Sequence, residues 1–318
     1  MQSRHQIIEA IVNVSEGRRP SIITDLIKVI DNPGHVKVIH ADIGHDVNRT
    51  VLTIVGKVNA IFSSLDHLIT FAKDRLDITM QEGEHPRLGM IDVIPFVALE
   101  NIHHEELIEI AKDRLAVIAD KHGLPMLYYG DLDVKEGRAL FHLRKWEMKK
   151  DLGARVFADV GPQEPHDQLG VSCATVRPLM TAYNVNLATR DLSKARKIVS
   201  ELKRLREDEA SLAKLDTRDV RYLAWFMPKF DCCQVSTNIY DVDAVSMSEL
   251  YDHVRSVAEK HGVSLGGSEL IGLAAERAIT TSEDLGDALS KLKLGSVKPF
   301  HQDSMILDKV MGQLRWSD

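Results

Sequence analysis

The chain reads as an α+β protein made of two consecutive β-α-β-β-α-β units, and three observations predict it. Hydrophobic spacing switches repeatedly between a period of two and a period of 3.6. The order of those switches up to Val97 returns from Ala182 onward. The length, 318 residues, exceeds what one hydrophobic core usually organises. Each unit is expected to form an antiparallel sheet with its helices on one face, the ferredoxin-like arrangement, and a cleft between two such units is a natural ligand site.

The elements follow in order. Ile8 to Val14 reads as a strand, and a helix starts at Pro20 with Ile22, Ile23, Leu26, Ile27 and Ile30 on one face, closed by Asn32-Pro33-Gly34. Val36 to Ile39 and Val51 to Val55 are strands. Ile61, Leu65, Leu68, Ala72 and Leu76 mark the second helix, and Ile91 to Val97 the fourth strand. Ile108, Ala111, Leu115 and Ile118 predict another helix, Met126 to Tyr129 a strand, and the charged stretch Lys135 to Lys150 a last, exposed helix. The second unit runs through a strand at Ala182 to Ala188 and a helix burying Ala195, Ile198, Leu202 and Leu205. Strands at Val220 to Met227 and Cys233 to Tyr240 come next. Ser246 and Glu249 then make a capping box for a helix with Leu250, Val254 and Val257 inward, stopped at Gly262. Val263 to Leu265 and Leu270 to Leu273 supply the last strand region, broken by Gly266-Gly267. These readings divide the chain into a first subdomain over 1–180, a second over 181–281, and a peripheral extension over 282–318 in which Ile306, Val310 and Leu314 suggest a short amphipathic helix.

Composition narrows the function classes. With 44% hydrophobic and 27% charged residues the chain is globular, and a formal charge of −7 without a basic tract argues against a nucleic-acid partner. No run of about 18 apolar residues marks a membrane span, and Met1-Gln2-Ser3-Arg4-His5 lacks the apolar core of a signal peptide, so a cytoplasmic location and no membrane partner are expected. The three cysteines, Cys173, Cys232 and Cys233, are too few for a disulfide framework and are read as reduced thiols in strands.

One loop stands out chemically. Gly83-Glu84-His85-Pro86-Arg87 isolates an imidazole between a helix and a strand. Pro86 pushes His85 away from the α region, and Gly83 permits close approach of another molecule. An imidazole with an ordinary pKa near 6.5 can take or give a proton at neutral pH. Taken alone, His-Pro is a turn. Other candidates read as structural. His35, His40 and His45 stand five apart, which does not gather three ligands on one strand face, so no metal is expected. His103-His104-Glu105-Glu106 starts a helix, and Gly266-Gly267-Ser268 lacks the lysine and spacing of a phosphate loop.

The pattern as a whole resembles the formiminotransferase family. Val12-Asn13-Val14-Ser15-Glu16-Gly17, Asp42, Asn48-Arg49-Thr50, the His85 pentapeptide, Asp92 and Pro95-Phe96 match in order and spacing. So do Asp159-Val160-Gly161-Pro162, Gly170, Arg177, Tyr183 to Leu187, Gln234 to Asn238, and Gly267 to Leu273. The resemblance implies two ferredoxin-like subdomains and transfer of a formimidoyl group between N-formimidoyl-L-glutamate and tetrahydrofolate, a step of histidine degradation and one-carbon metabolism. It implies His85 as general acid and base, a role expected to contribute about 10²–10⁴-fold. Asp42 would orient the imidazole and stabilise its charged form.

Both substrates carry carboxylates, and Arg49, Arg87 and Arg177 are the candidate partners for them. Gly161, Pro162 and Gly170 match the segment the family uses to hold folate, where small residues admit a flat ring. Gln163 to Leu169 diverge, and Leu169 stands where relatives can place an aromatic residue. A second departure is Arg206 to Ala213, which has no glycine and is expected to extend a helix. No cyclodeaminase domain follows in this sequence, so the resemblance implies a separate protein for that step, and a homodimer. The alternative reading is a catalytically weak or inactive relative that binds folate or a partner protein.

Overall fold

The computed structural model describes residues 5–45, 47–83, 86–133, 138–147 and 157–317. Glu84 and His85 lie outside the described residues, as does part of the helix expected over 135–150. The chain divides into two compact units, one of Met1–Pro178 with Arg315–Asp318 and one of Leu179–Leu314.

The first unit runs β1 (Ile7–Val14), α1 (Pro20–Ile30), β2 (Val36–Gly44), β3 (Arg49–Lys57), α2 (Val58–Arg75) and β4 (Ile91–Glu100), followed by α3 (His104–His122), β5 (Met126–Tyr128), α4 (Leu140–Glu147) and β6 (Ser172–Val176). Its sheet has six strands in the order β2-β3-β1-β4-β6-β5. The first four are antiparallel neighbours. The other two depart from the antiparallel sheet expected, because β6 runs parallel to both β4 and β5. The physical reason is α3, which carries the chain back along the sheet before β5 begins; a parallel pairing needs a crossover of that length, whereas a hairpin cannot supply it. Val12, Leu52, Ile54, Ile94 and Phe96 from the strands meet Leu26, Leu65, Leu68 and Leu115 from the helices in one core. Each such side chain stabilises the fold by about 1.5–3 kcal/mol through removal from water.

Local chemistry starts α1. The Glu16 carboxylate accepts hydrogen bonds from the Arg18 and Arg19 amides at 2.8 and 2.9 Å. Pro20, which has no amide hydrogen to satisfy, occupies the first turn.

The second unit runs β7 (Thr181–Leu187), α5 (Leu192–Leu205), α6 (Glu209–Leu212), β8 (Val220–Met227), β9 (Cys232–Ile239), α7 (Met247–Lys260) and β10 (Leu265–Ile271), then the short helices α8 (Glu276–Ile279), α9 (Leu285–Leu292), α10 (Gln302–Met305) and α11 (Leu307–Gln313). Its sheet order, β10-β7-β9-β8, is antiparallel throughout and repeats the permutation of β2-β3-β1-β4. The capping box forms as the sequence predicts, with Ser246 and Glu249 each bonding the other's backbone.

Three details differ from expectation. Residues 206–213 do not extend α5: the helix ends at Leu205, and the Asp208 side chain accepts from the Ser211 amide to begin the separate turn α6. Gly266-Gly267 does not break the last strand, because the register shift between Leu265 and Gly267 is absorbed as an irregularity inside β10. Residues after 281 supply Ala288, Leu292, Met305 and Ile306 to the second unit's buried core. Among the described residues no helix is long and apolar enough to cross a membrane.

Candidate active site

Three segments of the first unit meet where β1 ends and β3 and β4 begin. The Ser15 amide donates to Met90 O at 2.8 Å, and its hydroxyl donates to Gly89 O at 2.8 Å. The Thr50 hydroxyl donates to Glu16 O at 2.6 Å. Asn48 ties two loops together, its Oδ1 accepting from the Gly17 amide at 2.8 Å while Nδ2 donates to Glu82 O at 2.7 Å. Asn48 has φ 47°, a left-handed conformation that asparagine tolerates better than most residues. Gln81 Nε2 then donates to both Ser15 O and Asn48 O, at 3.0 and 2.8 Å.

These contacts brace the loop that carries His85 from both sides. Arg87 donates from Nη1 to Gln81 O at 3.2 Å and from Nη2 to Gly83 O. Gly83 could carry no side chain here, since a Cβ would lie 2.5 Å from Val47 O. The glycine is required by close approach of backbone.

At the Leu88 amide lies a buried ion cluster. Arg49 Nη1 donates to Asp92 Oδ2 at 2.6 Å, Arg144 Nη2 to the same oxygen at 3.0 Å, and the Leu88 amide to Oδ1 at 2.7 Å. Asp92 is fully buried, and burial pushes its carboxyl up. The two guanidiniums and the Leu88 amide outweigh that and hold it below the usual range. Burial also pulls the Arg49 guanidinium down, against the attraction of Asp92, but an arginine stays charged at any working pH, so both partners are ionised. Arg49 Nε reaches Asn13 Oδ1 at 3.2 Å.

Directly opposed residues in an antiparallel ladder share a face. The register therefore places Asp42 on β2, Val51 on β3, Asn13 on β1 and Val93 on β4 in one row on the sheet face opposite the helices. Asp42 and Asn13 are half-buried there. Arg49 and Arg87 thus gather with Asn13 and Asp92, and Gly170 joins them through its bridge to Gly89. Gly170 has φ 71°, and a Cβ on it would lie 2.5 Å from Leu88 O.

The other candidates stand elsewhere in the unit. Gly161 and the exposed Pro162 follow Val160, whose carbonyl accepts from the Met126 amide at 3.0 Å. Arg177 is half-buried at the far end of the sheet, its amide donating to Phe96 O at 3.0 Å and Nη1 to Pro178 O at 2.9 Å. Leu169 is fully buried in the helix-side core, so this position offers no surface for stacking.

Three functional candidates escaped the sequence reading. Arg144 comes from the charged stretch read as an exposed helix, and nothing in its spacing points to Asp92. His166 lies in the divergent segment, with Nδ1 accepting from the Gln168 and Leu169 amides at 3.2 Å each; burial, then nearby Lys73, hold its pKa below the usual imidazole value. Glu9 is only 4% exposed, on the same sheet face as Asn13 and opposed by Val55 and Val97. Burial pushes its carboxyl up to about 7 despite the attraction of Arg177. A carboxylate inside the apolar run Ile7 to Val12 was a signal that could have found it.

Comparison with known proteins finds matches along both units. Residues 7–177 match the family model described as the formiminotransferase domain, N-terminal subdomain, and residues 182–285 match the formiminotransferase domain. The chain belongs to the formiminotransferase family. It is 29% identical over 283 residues to glutamate formimidoyltransferase of Streptococcus pyogenes serotype M1, covering 86% of this chain and 91% of that protein. The glutamate formimidoyltransferase of Thermoplasma acidophilum is also 29% identical over 283 residues, covering 86% of this chain and 89% of that one. The formimidoyltransferase-cyclodeaminase of Gallus gallus is 28% identical over 312 residues, 96% of this chain, which spans 56% of that longer relative. The formiminotransferase matches thus run through both units.

Proposed function

We propose that this protein transfers a formimidoyl group between N-formimidoyl-L-glutamate and tetrahydrofolate, with His85 as the general acid and base. The observation that carries the reading is the family match across both units, together with relatives of nearly equal length named for that activity. Two ferredoxin-like subdomains are the arrangement this family membership favours, and the repeated strand permutation supports it.

The chemistry asks for one mobile proton. A neutral amine attacks the amidine carbon, and the tetrahedral adduct must lose a proton from the entering nitrogen and gain one on the leaving nitrogen; a single base can do both. Support for His85 in that role comes from its flanks. Arg87 bonds the carbonyls of Gly83 and Gln81, so the described residues on either side of His85 are held to one another. Asp42 would act as the carboxylate partner, and its place in the row with Asn13 is consistent with that.

The arginines take different parts. Arg49 is already paired with Asp92, so its proposed contribution is a positive, pre-oriented floor shared with Arg144, whereas Arg87 holds the loop. Arg177 remains a proposed partner for a substrate carboxylate. Gly161, Pro162 and Gly170 are proposed to hold folate, which enters as co-substrate.

The glycine-free stretch 206–213, which departs from the family pattern, favours one second reading, a weakened member that binds folate without efficient transfer. A spectroscopic transferase assay with N-formiminoglutamate and tetrahydrofolate separates them. Wild type is expected to turn over, and His85→Ala to lose about 10²–10⁴-fold. Equal rates in both would reject His85 as the base, and folate binding without turnover would favour the second reading.

A further inference from the structure

On the face of the second sheet opposite its helices lies a directional chain of hydrogen bonds. The register puts Glu269 of β10, Asn184 of β7, Ser236 of β9 and Leu223 of β8 in one row, with Asn186, Gln234 and Trp225 in the next. Trp225 Nε1 donates to Gln234 Oε1 at 2.8 Å. An indole N–H can only donate, so the orientation of the Gln234 amide is decided. Its Nε2 then donates to Asn186 Oδ1 at 2.7 Å and to Glu269 Oε2 at 3.2 Å. Asn184 Nδ2 adds a longer bond to the same oxygen at 3.4 Å, and Asn186 Nδ2 donates on to Ser296 Oγ at 3.3 Å.

The chain ends on a carboxylate whose needs are half met. Glu269 is 6% exposed, and among the described residues no lysine, arginine or histidine forms an ion pair with it and no hydrogen bond reaches Oε1. A carboxylate buried this far is stable when a positive group or hydrogen-bond donors meet both of its oxygens. Two amide donors on one oxygen are neutral and supply only part of that. Asn184 and the half-buried Ser236 stand in the same row as Glu269.

We infer that Glu269 is the receptor for a cationic, planar N–H group, the amidinium of the formimidoyl donor, bound through the oxygen that the amide ladder leaves open. The ligand's identity rests on the transferase reading above. An amidine is a strong base and is protonated at neutral pH. Its planar array of N–H donors matches a carboxylate as a guanidinium does. The ladder from Trp225 through Gln234 keeps the carboxylate in place before the ligand arrives.

The test compares N-formimidoyl-L-glutamate with N-formyl-L-glutamate, in which a neutral amide replaces the amidinium at nearly equal shape. Calorimetric binding to the wild-type protein is expected to favour the amidine by about tenfold or more, the preference of a charge-assisted bond over a neutral one. Glu269→Gln should erase that preference while leaving the affinity for the formyl compound within about twofold and tetrahydrofolate binding intact, which also reports on folding. Equal wild-type affinity for the two ligands overturns the site without recourse to any variant. Transfer activity together with a preference that survives in Glu269→Gln overturns the inference and leaves the transferase reading standing. A Glu269-dependent preference in a protein that transfers nothing supports the site and overturns the transferase reading.

Discussion

Replacing Glu9 by glutamine should make the protein's stability less sensitive to pH between about pH 4.5 and pH 7. The wild-type carboxyl is buried on the sheet face between Val55 and Val97, and its pKa is raised from 4.5 to about 7. In the unfolded chain it ionises near the ordinary value, so between those limits the folded state holds a proton that the unfolded state has released. Stability from this group is therefore complete below pH 4.5 and falls as pH rises through about 7. The shift corresponds to about 3 kcal/mol. Glutamine has the same shape and no charge to bury, so the variant's advantage over wild type should grow by about 3 kcal/mol between pH 4 and pH 8. Urea unfolding followed by far-ultraviolet circular dichroism at both pH values measures it. Burial and the Arg177 guanidinium act on this carboxyl in opposite directions, and burial is the stronger. If Arg177 wins, Glu9→Gln will instead be the less stable protein at pH 8, and the reasoning is refuted.

Further outcomes follow from the braced loop and its floor. Asp92→Ala strands the Arg49 guanidinium, 8% exposed, without its main partner, and should cost about 3–5 kcal/mol in chemical denaturation; a loss under about 1 kcal/mol would show that the cluster is not a closed ion pair. Because the folded Asp92 carboxyl is held below its ordinary value, its contribution is present at neutral pH and disappears as pH falls through that lowered value. Gly83→Ala drives a methyl group against Val47 O, so the loop must move; transferase activity should fall by at least about tenfold while stability changes by only about 1–3 kcal/mol. Unchanged activity would show that the loop's position is not critical.

Much of the fold was legible because each unit is written in two periods. The alternation in Ile8 to Val14 and the three- and four-residue steps of Ile61, Leu65, Leu68 and Ala72 reflect one buried face per element, and that constraint acts on every residue of the element. Local chemistry was equally readable where partners are neighbours in the chain, as in the Ser246–Glu249 capping box. The two errors in extent, over 206–213 and 266–267, came from side chains and bulges that redirect the backbone without changing the hydrophobic pattern.

By itself, then, the sequence determined the α+β class, the duplicated strand order, the catalytic candidate His85 and its family, since these depend on local periodicity and on the order of short motifs. Tertiary structure alone decided that β5 and β6 join parallel to β4, that Arg144 meets Asp92 from 52 residues away, and that Glu9 loses its water. It also decided that Glu269 sits at the end of a ladder begun by Trp225 on another strand. Such pairings depend on which faces close over which, and a charge gains its meaning from distances and solvent exclusion that no spacing along the chain encodes.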